Sequence, residues 1–268
     1  MDGQGETHRD LVNKSATMEY ALIGRPLGHS FSAAFFNEKF SREGIKAHYE
    51  PVCLQSIDEL PDFLKSNPGL RGFNVTIPYK TEVIKWLDDI SEEARDIGAV
   101  NVVKVTPGST PSPVTGLPLR LTGHNTDWEG FRDSAAPFAG DCRQALVCGS
   151  GGASKAVAYA LCRMGMDVDI VSRSTEKGNL TYGQVDSQVI ADHRIIVNCT
   201  PLGTWPDTGS APPLPYHLIS GSHLCLDLVY NPSVTAFMQR CAERGATVKN
   251  GLAMLHLQAL LAWDIWQH

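Results

Sequence analysis

Ala145-Leu-Val-Cys-Gly-Ser-Gly-Gly-Ala-Ser154 is an apolar strand that runs into a glycine-rich turn and then into a helical pattern ending at Gly165. From Gly149 the turn reads G-x-G-x-x-S. This is close to a fingerprint ending in Gly or Ala that lets the backbone approach a pyrophosphate at the start of a helix. Such a turn also occurs where a helix only packs on a strand, but strand, turn and helix together favour a dinucleotide site. The predicted contacts are Gly149, Ser150, Gly151, Gly152 and Ala153.

The end of the next predicted strand, 168–172, indicates which dinucleotide binds. NAD sites usually have Asp or Glu there, bonded to the ribose 2′-hydroxyl. Here the strand ends in Ser172-Arg173-Ser174, with Lys177 close behind and no carboxylate at the tip. A carboxylate would repel a 2′-phosphate, whereas Arg173 can clamp the phosphate and stack on adenine. We therefore predict NADP as cofactor; the alternative is that Arg173 is a solvated surface residue.

Short apolar or β-branched runs alternate with helical patterns along the chain, which predicts an α/β fold with parallel sheets covered by helices. The predicted strands are 20–23, 48–53, 72–76, 100–105, 119–122, 145–148, 168–172, 195–199, 224–228 and 247–249. The predicted helices include 32–43, 57–66, 92–97, 128–136, 154–164, 234–243 and 252–266.

Composition excludes several classes of protein. Of the 268 residues, 43% are hydrophobic and 19% charged, which is typical of a globular enzyme rather than a disordered chain. A net charge of −6 argues against a nucleic-acid partner. The seven cysteines form no C-x-x-C pair and the nine histidines no ligand spacing, so we expect no metal and reduced thiols in a cytoplasmic protein.

Residues 1–17 have no apolar region and are expected to form a flexible extension rather than a secretory signal. The apolar stretch 252–266 is interrupted by polar residues and predicts a core helix, not a membrane span.

Several further motifs follow one another in order along the chain. With them the sequence resembles the shikimate dehydrogenase family across nearly all of 18–268. They are Gly24-Arg-Pro-Leu-Gly-His-Ser-Phe-Ser32, Asn74-Val-Thr-Ile-Pro-Tyr-Lys80, Gly98-Ala-Val-Asn101, Gly123-His-Asn-Thr-Asp127, Asn198-Cys-Thr-Pro-Leu-Gly203, Asp227-Leu-Val-Tyr-Asn-Pro232 and Gly251-Leu-Ala-Met-Leu-His-Leu-Gln258.

The resemblance implies an oxidoreductase of aromatic amino-acid (chorismate) biosynthesis that reversibly reduces 3-dehydroshikimate to shikimate with NADPH. It implies that Lys80 is the proton donor and acceptor, assisted by Asp127. The substrate residues carried over are Ser30, Ser32, Thr76, Asn101, Tyr230 and Gln258, and the further cofactor residues are Thr200, Leu228 and Gly251.

The same resemblance implies two domains around a cleft. A mixed-sheet α/β substrate domain is expected at 18–122 and a Rossmann-like NADP-binding domain at 123–250. A C-terminal helix, 251–268, is expected to return to the substrate domain. The implied assembly is a monomer or a homodimer, with no nucleic-acid or membrane partner.

The residue types suit the implied chemistry. Hydride addition to a ketone develops negative charge on oxygen, so a cation and proton donor must stand beside it, and Lys80 supplies both. A neighbouring carboxylate such as Asp127 would orient the lysine and partly restore a pKa lowered by desolvation. Taken singly, Lys80 also fits a solvated loop lysine and Asp127 a helix N-cap. Short polar side chains such as the substrate set above suit a polyhydroxy acid.

Two departures from the family pattern concern the cofactor. Ser172 stands where Asn is usual before the arginine, and the segment between Arg173 and Ile195 is short, so we expect a trimmed cofactor domain. Two other functions stay open at this point: a quinate/shikimate dehydrogenase that uses NAD, and a catalytically inactive relative that senses a metabolite.

Overall fold

The computed structural model describes residues 17–27 and 31–268, and contacts within the chain divide it into two compact units. The first unit comprises the described residues up to Asp88 together with Val103–Thr122, and the second comprises Asp89–Val102 together with Gly123–His268. The predicted extension therefore lies, except for Thr17, outside the described residues. The predicted domain boundaries, and the return of the C-terminal helix to the substrate domain, stay predictions.

The first sheet has six strands in the order β2-β1-β3-β5-β6-β4. Strand β1 pairs in parallel with both β2 and β3. The strands are β1 Met18–Gly24, β2 Ala47–Cys53, β3 Leu70–Val75, β4 Asp89–Ile90, β5 Val102–Pro107 and β6 Leu119–His124. The helices in this part of the chain are α1 Phe31–Glu43, α2 Leu60–Ser66 and α3 Glu92–Ile97.

Helix α1 is held on this sheet by aromatic side chains. Phe36 and Phe40 on its buried face contact Tyr49 of β2 and Tyr20 of β1, with ring centroids 4.7 Å and 5.7 Å apart, respectively. Burying aromatic rings in this way supplies much of a core's stabilisation. This packing fixes α1 against β1 and β2.

The second sheet has six strands in the order β12-β11-β10-β7-β8-β9, and every neighbouring pair is parallel. The strands are β7 Gln144–Cys148, β8 Asp167–Ser172, β9 Leu180–Thr181, β10 Ile195–Asn198, β11 Leu224–Asp227 and β12 Thr247–Lys249. The helices are α4 Asp127–Ala139, α5 Gly152–Arg163, α6 Ser187–Asp192, α7 Ala236–Ala242 and α8 Leu252–Gln267.

Successive residues of the central strands face opposite sides of this sheet, as the pleat of a strand requires. On β7, Ala145 and Val147 join one buried cluster with residues of α4, α5 and α8, while Leu146 and Cys148 join another with residues of α6 and α7. Both faces are therefore covered by helices, which is why these strands are apolar throughout rather than alternating. The predicted α/β fold class is confirmed.

The elements differ from the predictions mainly at their ends. All ten predicted strands are present, and the two-residue strands β4 and β9 and helix α6 were not predicted. Helix α4 was predicted to end at residue 136 but includes Pro137 and ends at Ala139. A proline so near the end of a helix removes only one intrahelical hydrogen bond, so the helix continues to the Gly140 turn.

Candidate active site

The glycine turn stands where the strand order of the second sheet reverses, between β7 and β10. Gly149 has φ +113, and a Cβ placed on it would lie 3.2 Å from the Cys199 carbonyl oxygen and 3.3 Å from Thr200 Cγ2. Only glycine fits this conformation and this approach. Helix α5 then begins after Gly151, which has no side chain to cap it, so first-turn N–H groups are available to an anion.

The turn after β8 is tightly bonded to itself. Ser172 is buried, and its hydroxyl donates to the Ser174 carbonyl oxygen at 2.5 Å and accepts from the Ser174 N–H at 3.1 Å. Asn179 accepts a hydrogen bond from the Ile170 N–H at 2.6 Å and donates to Asp169. This turn leads directly to β9 without a helix. Its basic side chains, Arg173 and Lys177, are exposed.

The other predicted cofactor residues follow the carboxyl ends of neighbouring strands. Thr200 follows β10, Leu228 follows β11 and Gly251 follows β12. A Cβ on Gly251 would lie 2.2 Å from the Leu228 carbonyl oxygen, so the two backbones are in direct contact. Both residues line a groove of about 440 Å³. In open parallel sheets this edge is where nucleotides bind.

A buried carboxylate, Asp227, joins the loops after β10 and β11. It accepts hydrogen bonds from Asn198 Nδ2 at 3.0 Å, from the Val229 N–H at 3.0 Å and from Thr235 Oγ1 at 2.5 Å. Burial raises the pKa of Asp227 to about 6, against the opposing effect of these three donors. Asn198 and Asp227 stood inside recognised motifs but were not predicted as site residues; two polar residues ending adjacent apolar strands were the available signal.

Three of the predicted site residues meet in one buried cluster of the second unit. Asn101 Nδ2 donates to Asp127 Oδ1 at 2.8 Å and lies 3.5 Å from Gln258 Oε1. Thr126 connects the cluster: its N–H donates to Asn101 Oδ1 at 2.7 Å, and its hydroxyl donates to the Gln258 carbonyl oxygen at 3.1 Å. Because Thr126 occupies the amide oxygen of Asn101, the amide nitrogen must face the carboxylate. Sequence analysis missed Thr126.

The N-cap alternative for Asp127 is answered by its neighbour. Asn125 Oδ1 accepts from the backbone N–H groups of Asp127 and Trp128, at 3.1 Å and 3.4 Å, and so satisfies the start of α4. Asp127 is the first residue of the helix, and its carboxylate is directed to Asn101 instead.

In the first unit, Ser32, Thr76 and Lys80 follow the carboxyl ends of the adjacent parallel strands β1 and β3. Thr76 comes directly after β3, and half-buried Lys80 lies in the turn beyond it. That turn is anchored by the buried Tyr79, whose hydroxyl donates to the Leu54 carbonyl oxygen at 2.8 Å.

Ser32 is hydrogen-bonded to the Tyr49 hydroxyl, which itself donates to Asn74 Oδ1 at 2.7 Å. Burial raises the pKa of Tyr49 well above its usual range. Ser30 lies outside the described residues. Tyr230, in the second unit, is 37% exposed on the loop after β11.

Among the described residues there is no group of three or more His, Cys, Asp or Glu that could hold a metal ion. Within the same residues, no helix is long and apolar enough to cross a membrane. Helix α8 packs on α4 in the core of the second unit, through Met254 and neighbouring residues.

A parallel sheet covered on both faces, with a glycine turn where its strand order reverses, defines the second unit as a dinucleotide-binding fold of the Rossmann class. Comparison with known proteins identifies the family. Residues 22–103 match the family described as the shikimate dehydrogenase substrate binding domain. The NADP(+) shikimate dehydrogenase of Methanococcus maripaludis is 33% identical over 94% of this chain and 92% of its own length.

Two solved structures illustrate the likeness. Shikimate 5-dehydrogenase from Thermus thermophilus in complex with NADP(H) and shikimate has a TM-score of 0.77 and 33% identity, covering 93% of each chain. Ligand-free 5-ketofructose reductase of Gluconobacter has a TM-score of 0.76 and 26% identity, covering 93% of this chain and 92% of its own. The chain belongs to the shikimate dehydrogenase family.

Proposed function

We propose that this protein catalyses the reversible NADPH-dependent reduction of 3-dehydroshikimate to shikimate. The observation that carries the proposal is the buried cluster of Asn101, Asp127 and Gln258, in which side chains from distant motifs are held in one hydrogen-bonded arrangement. A fixed set of amide and carboxylate groups is what recognition of a polyhydroxy acid requires. The family relationship supports the same substrate.

The cofactor is proposed to bind along the carboxyl edge of the second sheet. The turn Gly149–Ala153 and the start of α5 would hold the pyrophosphate, and exposed Arg173 and Lys177 would bind the 2′-phosphate. The hydroxyl of Ser172 already donates to the Ser174 carbonyl oxygen. We therefore propose that the cofactor contacts Ser172 and Ser174 through the backbone of this turn. Thr200, Leu228 and Gly251 would contact the nicotinamide. When bound, NADPH supplies the hydride.

In the proposed mechanism the Lys80 ammonium donates a proton to the carbonyl oxygen as negative charge develops there, which gives the secondary alcohol. Asp127 would orient this proton transfer, while Asn101 keeps its carboxylate in place. In the reverse direction the lysine accepts the hydroxyl proton. Ser30, Ser32, Thr76, Tyr230 and Gln258 would bind the carboxylate and the remaining hydroxyl groups.

The test is NADP+ reduction with shikimate, followed by NADPH absorbance. Lys80→Ala should lower kcat/KM by about 10²–10⁴-fold, because a positioned acid–base group is lost. The matched control is Lys85→Ala, since Lys85 lies in the following turn and its ammonium pairs with the exposed carboxylate of Asp58 at 2.5 Å. A Lys80→Ala enzyme as active as the Lys85→Ala control would refute the mechanism.

Substrate and cofactor are then varied together. Shikimate with NADP+ should be turned over far better than quinate with NAD+, because Arg173 and Lys177 can bind a 2′-phosphate and no carboxylate stands at the strand tip. Equal efficiency on quinate with NAD+ would favour the broader dehydrogenase. Reduction of 5-ketofructose is tested in the same assay. Binding of shikimate and NADP+ without any turnover would favour an inactive sensor.

A further inference from the structure

One buried ionisable group has no part in the proton transfer described above: Asp227, at the end of β11 and only 1% exposed. We propose that Asp227 is a positioning residue that fixes the two loops on the nicotinamide side of the cofactor edge, and so sets the affinity for NADP(H). The inference rests on the proposed function for the identity of the cofactor. Its geometric basis lies wholly within the second unit.

The first loop is fixed through Asn198. Thr200 donates twice to Asn198 Oδ1, from its N–H at 3.0 Å and from its hydroxyl at 2.6 Å. With that oxygen occupied, the amide nitrogen faces Asp227 Oδ1 at 3.0 Å. Asp227 therefore determines the orientation of the side chain on which Thr200 depends. Thr200 in turn lies beside the glycine turn, because its Cγ2 is 3.3 Å from the position that a Gly149 Cβ would take.

The second loop is fixed directly. Asp227 Oδ1 accepts from the Val229 N–H at 3.0 Å, which sets the backbone of the intervening Leu228. The Val229 carbonyl oxygen then accepts from the Gly251 N–H at 3.2 Å. Oδ2 accepts from Thr235 Oγ1 at 2.5 Å, and Thr235 also caps α7. One carboxylate thus joins the turns after β10 and β11 and the start of α7.

A carboxylate suits this place because three donors converge on it and it has only acceptors to offer. Bonds to an ionised acceptor are shorter and stronger than bonds to a neutral amide, so the loops are held more firmly. The titratable groups near it include the thiols of Cys148 on β7, Cys199 after β10 and Cys241 on α7. Burial raises the pKa of Cys148 and Cys199, which keeps these thiols neutral near pH 7.

The experiment compares Asp227→Asn with the wild type in two measurements. Asparagine has nearly the same shape but offers one acceptor and no charge. We expect the Kd for NADP+, measured by direct titration without turnover, to rise about tenfold, because displaced loops no longer place their contacts correctly. The KM for NADP+ should rise by about the same factor. The KM for shikimate should change less than twofold. Asp192→Asn, an exposed position on α6, is the matched control and should bind NADP+ like the wild type.

A second pair of variants separates positioning from folding. Thr235→Val removes one donor to Asp227 and should raise the Kd for NADP+ in the same direction, whereas Thr235→Ser keeps the hydroxyl and should restore wild-type binding. If Asp227→Asn and Thr235→Val lower the melting temperature but leave the Kd for NADP+ unchanged, the positioning role is overturned. Failure of the proposed function is distinct, since the wild type itself would then show no turnover of shikimate with NADP+.

Discussion

Gly130 offers the sharpest test of how the substrate-side cluster is held. It lies in α4 and faces α8, and a Cβ on it would lie 3.0 Å from the Met254 carbonyl oxygen and 3.1 Å from Gln258 N. Ordinary contact begins at 3.4 Å, so Gly130→Ala must separate the helices locally by 3.4 − 3.0 = 0.4 Å. If α8 takes up this shift, the 3.1 Å bond from Thr126 Oγ1 to the Gln258 carbonyl oxygen reaches the limit of a hydrogen bond.

The expected energies decide the sign. Alanine in a helix gains about 1 kcal/mol over glycine. Overpacking costs about 1–3 kcal/mol, and the weakened hydrogen bond about 1 kcal/mol more. We therefore expect a net destabilisation of about 1–3 kcal/mol, or a fall in Tm of several degrees at about 2–4 °C per kcal/mol.

The assay is thermal unfolding followed by circular dichroism, together with the KM for shikimate, which should rise because Gln258 is displaced. The control is Gly183→Ala, where an added Cβ meets no heavy atom within 4 Å and the backbone φ is not positive. That variant should be neutral or slightly stabilising. A Gly130→Ala protein that is more stable than the wild type and has an unchanged KM would show that the close approach of α4 and α8 does not hold the cluster.

Three further predictions follow from the second unit. The Asp227 pKa is raised from 3.8 to about 6, so burial favours its protonated form, and the stability that this pKa shift contributes is present below about pH 4 and lost as pH rises through 6. The unfolding free energy of Asp227→Asn relative to wild type should therefore grow by about 2 kcal/mol from pH 4 to pH 7, and parallel urea-denaturation profiles would contradict this. Thr126→Val should raise the KM for shikimate about tenfold with little change for NADP+, since it removes a bond worth about 1 kcal/mol and loosens Asn101; Thr126→Ser should recover activity. Arg173→Ala should weaken NADP+ binding about tenfold or more and leave NAD+ binding nearly unchanged; equal losses for both cofactors in direct titrations would assign Arg173 to adenine alone.

Sequence patterns were sufficient where one physical demand governs a stretch of chain. The strand and glycine turn around Gly149 were predictable because tight turning and close backbone approach admit only glycine. Strands buried on both faces were found because they are apolar without interruption, as in β7 and β10.

Features that depend on contacts across the fold were not predictable. Thr126 and Asp227 hold other residues in place, and nothing in their local sequence states which partner they bond. Strand β9 has only two residues, too short for a periodic signal. Helix α4 passes Pro137 because the helix ends soon afterwards, whereas local propensity places the end before the proline. The roles of Lys80 and the serines came from family resemblance, not from their local chemistry.

The short connection after β8 has a consequence for how the protein behaves at high concentration. A two-residue edge strand leaves much of β8 uncovered, and an uncovered edge is a template on which strands of other molecules can assemble. The Ile170 N–H on this edge donates to the side-chain oxygen of Asn179. This backbone group is therefore not available to pair with a strand of another molecule. The short connection thus leaves the sheet with a blunted edge, which we expect to resist pairing with strands of other molecules.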